Sequence, residues 1–202
     1  MADRDRAEVR APVQRLRRAE RREQILDAAT RAFARAGFTS TSLDDVAAEA
    51  GITRVLLYRH FDSKADMYRA VLDRAGQRLG NQVGRNDFDE HTIPALLRAA
   101  AADPDAFRLL FRYAAREPEF RDLTDRLAAT AAAVARDSLS AQIPDGPWLE
   151  WASRLIPTLT LEAVIAWLDA GQPEPEHAAD RIGQAIHGVI QAAAPAATLR
   201  HS

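Results

Sequence analysis

Apolar positions between Glu20 and Leu79 recur at helical spacing. Ile25, Ala29, Ala32, Phe33 and Ala36 are separated by steps of four, three, one and three, which places them on one face of a first helix. Gly37 supplies the residue after its last turn. Hydroxyls in the run Thr39–Ser42 offer caps to a second, short helix with the stripe Leu43, Val46, Ala47 and Ala50, closed by Gly51. Thr53 caps a third helix in which Leu57 and Phe61 share a face at i, i+4. Ser63, followed three residues on by Asp66, resembles a capping box with Asp in place of Glu and opens a fourth helix to about Leu79.

Past a loop with Gly84, Asp87 and Asp89, proline punctuation sets the later elements. Asp103-Pro104 and Glu117-Pro118 both read as helix starts, and helices are predicted over 92–102, 104–116, 118–140, 147–170 and 175–194. Pro157 falls inside one of them and is expected to kink or break it. The alternation of Val, Ile and Thr that marks strands is missing. The fold class is therefore all-α, a three-helix amino-terminal unit and a larger helical bundle, about nine helices in all.

The segment Thr41–Phe61 (TSLDDVAAEAGITRVLLYRHF) carries the chemistry. Two short helices joined by a turn at a glycine form the frame of a helix-turn-helix. Ala47 is small enough for close helix approach, Gly51 tolerates the positive φ of the turn, Ile52 plugs the gap, and Leu57 and Phe61 anchor the second helix. With those inward, Arg54, Val55, Tyr58 and Arg59 share the other side, where a major groove would lie. Arginine suits guanine and valine a thymine methyl. Thr41, Ser42, Thr53, Tyr58, His60 and Lys64 are the candidates for contacts that position the helix on the duplex, chiefly through phosphate.

The extended pattern resembles the TetR family of repressors between Ile25 and about Leu72. The matching residues are Phe38, the pair Thr41-Ser42, Val46-Ala47, Ala50-Gly51-Ile52, Leu57-Tyr58, His60-Phe61 and Ser63-Lys64. Val55 and Leu56 depart from the family's small residue or Pro followed by Thr or Ser, and Asp44 stands where many relatives carry a basic residue. Residues 1–18, with scattered Arg, Asp and Glu and no clear apolar stripe, read as a flexible basic arm, and the resemblance implies a DNA-binding domain over 19–64 and a ligand-binding and dimerisation domain over 65–202. It also implies a homodimer on a palindromic double-stranded operator, released by an unidentified small molecule, with no cofactor. The last two helices would pair between subunits through Leu161, Ile165, Leu168, Ile182, Ile186, Val189 and Ile190, with Gly183 allowing close approach. Aromatic residues Phe107, Phe111, Tyr113, Phe120, Trp148 and Trp151 are the candidates to line a pocket. Arg108, Arg112 and Arg116 repeat every four residues and read as a solvated face.

Composition adds boundaries. With no cysteine, disulfides and thiolate zinc are excluded, and no apolar run reaches the ~20 residues of a membrane-spanning helix. A cytoplasmic protein is expected. Residues 1–64 hold 13 basic against 10 acidic side chains and residues 65–202 hold 14 against 19, a basic front on an acidic rear. His60, His91, His177, His187 and His201 are dispersed with no metal-ligand spacing, and no catalytic fingerprint occurs, so an enzyme is not expected. The competing reading is a helical protein-interaction module that has lost DNA binding, for which Val55, Leu56 and Asp44 speak.

Overall fold

The structure is a computed structural model that describes residues 18–84 and 89–194. All of the arm but Arg18 lies outside the described residues. Among them every regular element is helical: α1 Arg18–Ser40, α2 Leu43–Glu49, α3 Arg54–Tyr58, α4 Lys64–Val83, α5 Thr92–Ala102, α6 Pro104–Arg108, α7 Arg121–Leu139, α8 Pro147–Asp169 and α9 Pro175–Ala193. The all-α expectation is met.

Local chemistry explains most boundaries. Gly37, at φ 78°, breaks the winding of α1. Ala36, expected on the buried face, is exposed, because the chain turns there and Phe38 packs back against Phe33 instead. The side chains of Ser42, Thr53, Ser63 and Asp103 each accept a backbone N–H at the start of α2, α3, α4 and α6. At Ser63 the box is offset by one residue, since Asp66 accepts from the N–H of Asp62. The helix predicted over 104–116 keeps α-winding only to Arg108, then widens to a π-turn over Leu109–Tyr113 and tightens to a 3-10 turn over Ala114–Arg116. A second 3-10 turn, Pro118–Phe120, leads into α7. α8 is not broken at Pro157, which is buried within it.

Two apolar cores result. The first gathers α1 to α4 with α6 and the 109–120 turns, through Ile25, Phe33, Val46, Leu57, Phe61, Tyr68, Leu110 and Phe120, so it runs on past residue 64. The second joins α5, α7, α8 and α9 through Leu97, Leu139, Ile143, Ile156, Ile165, Leu168, Ile182 and Ile186. Leu79 of α4 packs against both.

Candidate nucleic-acid interface

α2 and α3 are short, so their orientation comes from α1. Gln24 donates to the carbonyl of Ala50 at 2.9 Å, and Arg31 and Arg35 clamp Glu49 at 2.8 and 3.2 Å. Gly51, at φ 64°, makes the turn, with the N–H of Ile52 on the carbonyl of Ala47 at 3.0 Å. Leu57 and Phe61 are buried in the first core, and the Arg22 guanidinium lies 4.8 Å from the centre of the Phe61 ring. The whole outer side of α3 is thereby turned to solvent. Val55 is 67% exposed and Tyr58 44%, with Arg54 and Arg59 exposed beside them.

The charge on this face is partly committed. Arg54 donates to Asp44 at 2.9 Å and to the Tyr58 hydroxyl at 3.3 Å. The hydrogen bond to Tyr58, then the Asp44 charge, hold its proton more firmly than usual. Asp44 is therefore neutralised by α3 itself. Ser42 and Asp45 cap α2 reciprocally, the N–H of Ser42 donating to Asp45 at 2.8 Å and the N–H of Asp45 to the Ser42 hydroxyl at 3.1 Å. That pairing, the Ser42 N–H first and its hydroxyl second, holds the Asp45 carboxyl below its usual range. His60 is half-buried, and burial, then Arg18, Arg22 and Arg21, push its proton affinity down.

Two of the expected phosphate-side residues sit differently from that expectation. Thr41 is 2% exposed, and its hydroxyl donates to the carbonyl of Gly37 at 2.6 Å, so it fastens the α1–α2 turn and does not reach outward. Lys64 is half-buried, donates to the carbonyls of Phe38 and Thr39 at 2.8 and 3.2 Å, and lies 4.6 Å from the Phe38 ring centre. Both are drawn inward because the turn after Gly37 exposes carbonyls that need donors. Ser42 and Thr53 stay exposed at the starts of α2 and α3. Arg18, Arg21 and Arg22, gathered near His60, were absent from the sequence-based set, although their i, i+3, i+4 spacing puts them on one side of a helix.

The six aromatic pocket candidates are not brought together. Phe107 and Phe111 lie with their ring centres 4.8 Å apart, tilted by 58°. Phe120 is buried in a cluster with Phe38 and Tyr68, at 5.0 and 4.6 Å. Trp148 and Trp151 pair edge to face at 5.5 Å on the surface, 60% and 40% exposed. Tyr113 and Phe111 border a shallow groove with Arg112, Arg116 and Glu162. Only Phe107 lines the cavity of about 400 Å3 between α1, α4, α5 and α6, with Thr30, Val71, Arg74, Arg78, Gln82, Asp103 and Leu110 among its walls. Arg108 and Arg112 are not a solvated face: both bind Asp169 at the end of α8. Of the seven expected pairing residues, Ile165, Leu168, Ile182 and Ile186 are buried against the same chain, whereas Leu161, Val189 and Ile190 are half-buried. Gly183 faces Ile93 of α5, 3.9 Å from where a Cβ would stand, so its close approach is internal.

Comparison with known proteins agrees with this geometry. The family model described as bacterial regulatory proteins, tetR family, matches residues 25–71. The HTH-type transcriptional activator FasR of Mycolicibacterium smegmatis is 45% identical over 105 residues, 48% of this chain and 48% of its own. The HTH-type transcriptional regulator TtgR of Pseudomonas putida is 48% identical over 75 residues, 37% of this chain and 36% of its own. The chain thus spans about half or less of the length of these curated relatives. A TetR-like transcriptional regulator from Rhodococcus superposes with a TM-score of 0.74 at 22% identity, over 86% of this chain and 97% of the other, which is a likeness of fold. A helix-turn-helix held on α1, a family match over residues 25–71 and a shared helical frame make this chain similar, in that segment and in fold, to bacterial regulatory proteins of the tetR family.

Proposed function

We propose that the chain is a homodimeric transcriptional repressor that binds a palindromic double-stranded operator and is released by a small molecule held in its carboxy-terminal helices. The observation that carries this reading is α3, whose inner residue Leu57 is fully buried while Arg54, Val55, Tyr58 and Arg59 all face solvent. A five-residue helix with an exposed valine has no folding reason to present itself so. One such helix makes few contacts, and two of them ~34–36 Å apart read successive turns of one groove. The outer faces of α8 and α9, with Leu161, Val189 and Ile190, are the proposed pairing surface. The buried Ile165, Leu168, Ile182 and Ile186 fix those helices from within.

The cavity between α1, α4, α5 and α6 is the proposed effector site. Its size, about 400 Å3, falls in the range of small-molecule pockets, and its walls belong to both the reading head and the later helices. A ligand that prefers a wider cavity would move α4 against α1, and its effect is limited to that preference.

A gel shift with DNA from upstream of the chain's own coding sequence tests the reading. A shift that weakens steeply with salt and is lost in Y58A and R59A is the expected result. Failure to shift any genomic fragment would favour an interaction module instead. A second reading, activation, is favoured by the relative named a transcriptional activator. Deleting the gene raises target transcripts if the chain represses and lowers them if it activates.

A further inference from the structure

We infer that Arg18, Arg21 and Arg22 form a phosphate clamp for the backbone of duplex DNA, set against His60 at the carboxyl end of the reading helix and separate from the base-reading face. The inference rests on the DNA-binding reading above and adds a second contact surface to it.

Pairing of charge across the molecule carries the argument. Most described arginines are held by carboxylates: Arg31 and Arg35 by Glu49, Arg69 by Asp122, Arg74 and Arg78 by Glu23, Arg108 and Arg112 by Asp169. Among the described residues, Arg18, Arg21, Arg22 and the adjacent Arg59 have no such partner. The other unpaired ones, Arg98, Arg116 and Arg121, are spread over the later helices. The contrast runs along a single helix, since the far half of α1 neutralises its arginines and the near half gathers them.

Geometry fixes where they act. Arg22 is parked over Phe61, and Arg21 is braced by Gln24 at 2.6 Å. His60 is half-buried, and burial first, then the charges of all three guanidiniums, make it hold its proton less firmly. Like charges crowded on a partly buried imidazole oppose one another in the free chain and are relieved by an anion. The imidazole follows Tyr58 and Arg59 directly in sequence, so the cluster flanks the helix that would lie in the groove. The strand bordering a major groove offers phosphates in series there, and guanidinium suits phosphate in a two-pronged way.

The test is fluorescence anisotropy of the full chain with a labelled duplex of arbitrary sequence, about two helical turns long, between about 50 and about 200 mM salt. Phosphate contacts do not depend on sequence, so no operator is needed. R18A/R21A is compared with R98A/R121A, which removes the same charge elsewhere. Arg22 is left in place for its contact with Phe61. The expected result is a salt slope smaller by about two for R18A/R21A, with binding weaker by roughly tenfold or more, and an unchanged slope for R98A/R121A. Equal effects of the two double variants, or none from R18A/R21A, would overturn the clamp while leaving DNA binding intact. A wild-type chain that fails to bind the duplex at low salt would remove the DNA-binding reading and the clamp with it. Should the alanine pair fold poorly by circular dichroism, R18Q/R21Q is read in the same way.

Discussion

Asp44 and Arg54 neutralise one another at 2.9 Å on the surface that would meet DNA. The pair is exposed on both sides, so it contributes little to stability. Its consequence is for binding: a phosphate or base must compete with the carboxylate for the guanidinium. D44N should therefore leave thermal stability unchanged while steepening the salt slope of duplex binding by about one and tightening it several-fold. An unchanged slope in an anisotropy titration would mean that Arg54 stays on Tyr58 and never turns to DNA. Asp44, which stands where many relatives carry a basic residue, thus has a partner ten residues on, one helix away. Tyr68 is a second single-residue case. Its hydroxyl is buried without a hydrogen-bond partner among the described residues, and burial, then Glu117, push its pKa far up, so it stays neutral. Y68F removes an unsatisfied group and should raise stability by about 1 kcal/mol, read from urea unfolding. A loss of stability would reveal a partner for that hydroxyl.

Among the elements, α4 joins the two halves of the molecule. Arg74, its side chain only 10% exposed, donates to Asp27 at 2.7 Å, to Glu23 at 3.2 Å and to Thr30 at 2.9 Å, fastening α4 to α1. The same arginine lines the cavity, so occupancy there and the α1–α4 fastening act on one side chain. R74M keeps most of the aliphatic stem and removes the charge. It should cost about 2–3 kcal/mol in urea unfolding, because a charged, largely buried donor is lost and Thr30 is left without it. A cost near zero would mean that Glu23 and Asp27 do as well in water. On the opposite side, Phe120 inserts into the ring cluster of Phe38 and Tyr68, and Arg69 crosses to Asp122 at 3.3 Å. The turn at Pro118–Phe120 is thereby fastened to α1 and α4 by apolar contact, and α7 to α4 by charge.

For the molecule as a whole, His60 ties acidity to folding and, under the proposed function, to duplex binding. Its folded-state proton affinity is depressed, so on acidification the unfolded chain takes up the proton first. Its contribution to stability is therefore present above the ordinary imidazole value of about 6.5 and is lost as pH falls from there through the lower folded-state value. Binding runs the other way. A phosphate laid on the cluster offsets Arg18, Arg21 and Arg22 and favours the imidazolium, so binding takes up a proton. Duplex affinity should rise several-fold between about pH 8 and about pH 6, and H60Q should flatten that rise. A wild-type profile as flat as that of H60Q would show that no phosphate reaches the ring. The two trends oppose each other, with binding strengthened in the acid range where His60 withdraws its support from the fold.

The sequence by itself determined what depends on local chemistry. Helical periodicity, the caps at Ser42, Thr53, Ser63 and Asp103, and the positive-φ turn at Gly51 all act within a few residues, and the solvent side of α3 follows from which of its positions are apolar. Tertiary structure decided which of the exposed-looking polar groups are spent. Thr41 and Lys64 read as outward from the sequence, and only the folded turn after Gly37 supplies the carbonyls that draw them in. Arg74 meets Glu23 and Asp27 across 51 and 47 residues, a pairing no local pattern encodes. The stripes of α8 and α9 likewise spell an apolar face, but only packing shows that four of the seven expected pairing residues are already buried inside one chain. Hydrophobic spacing selects a face, and the partner for that face is chosen by the rest of the fold.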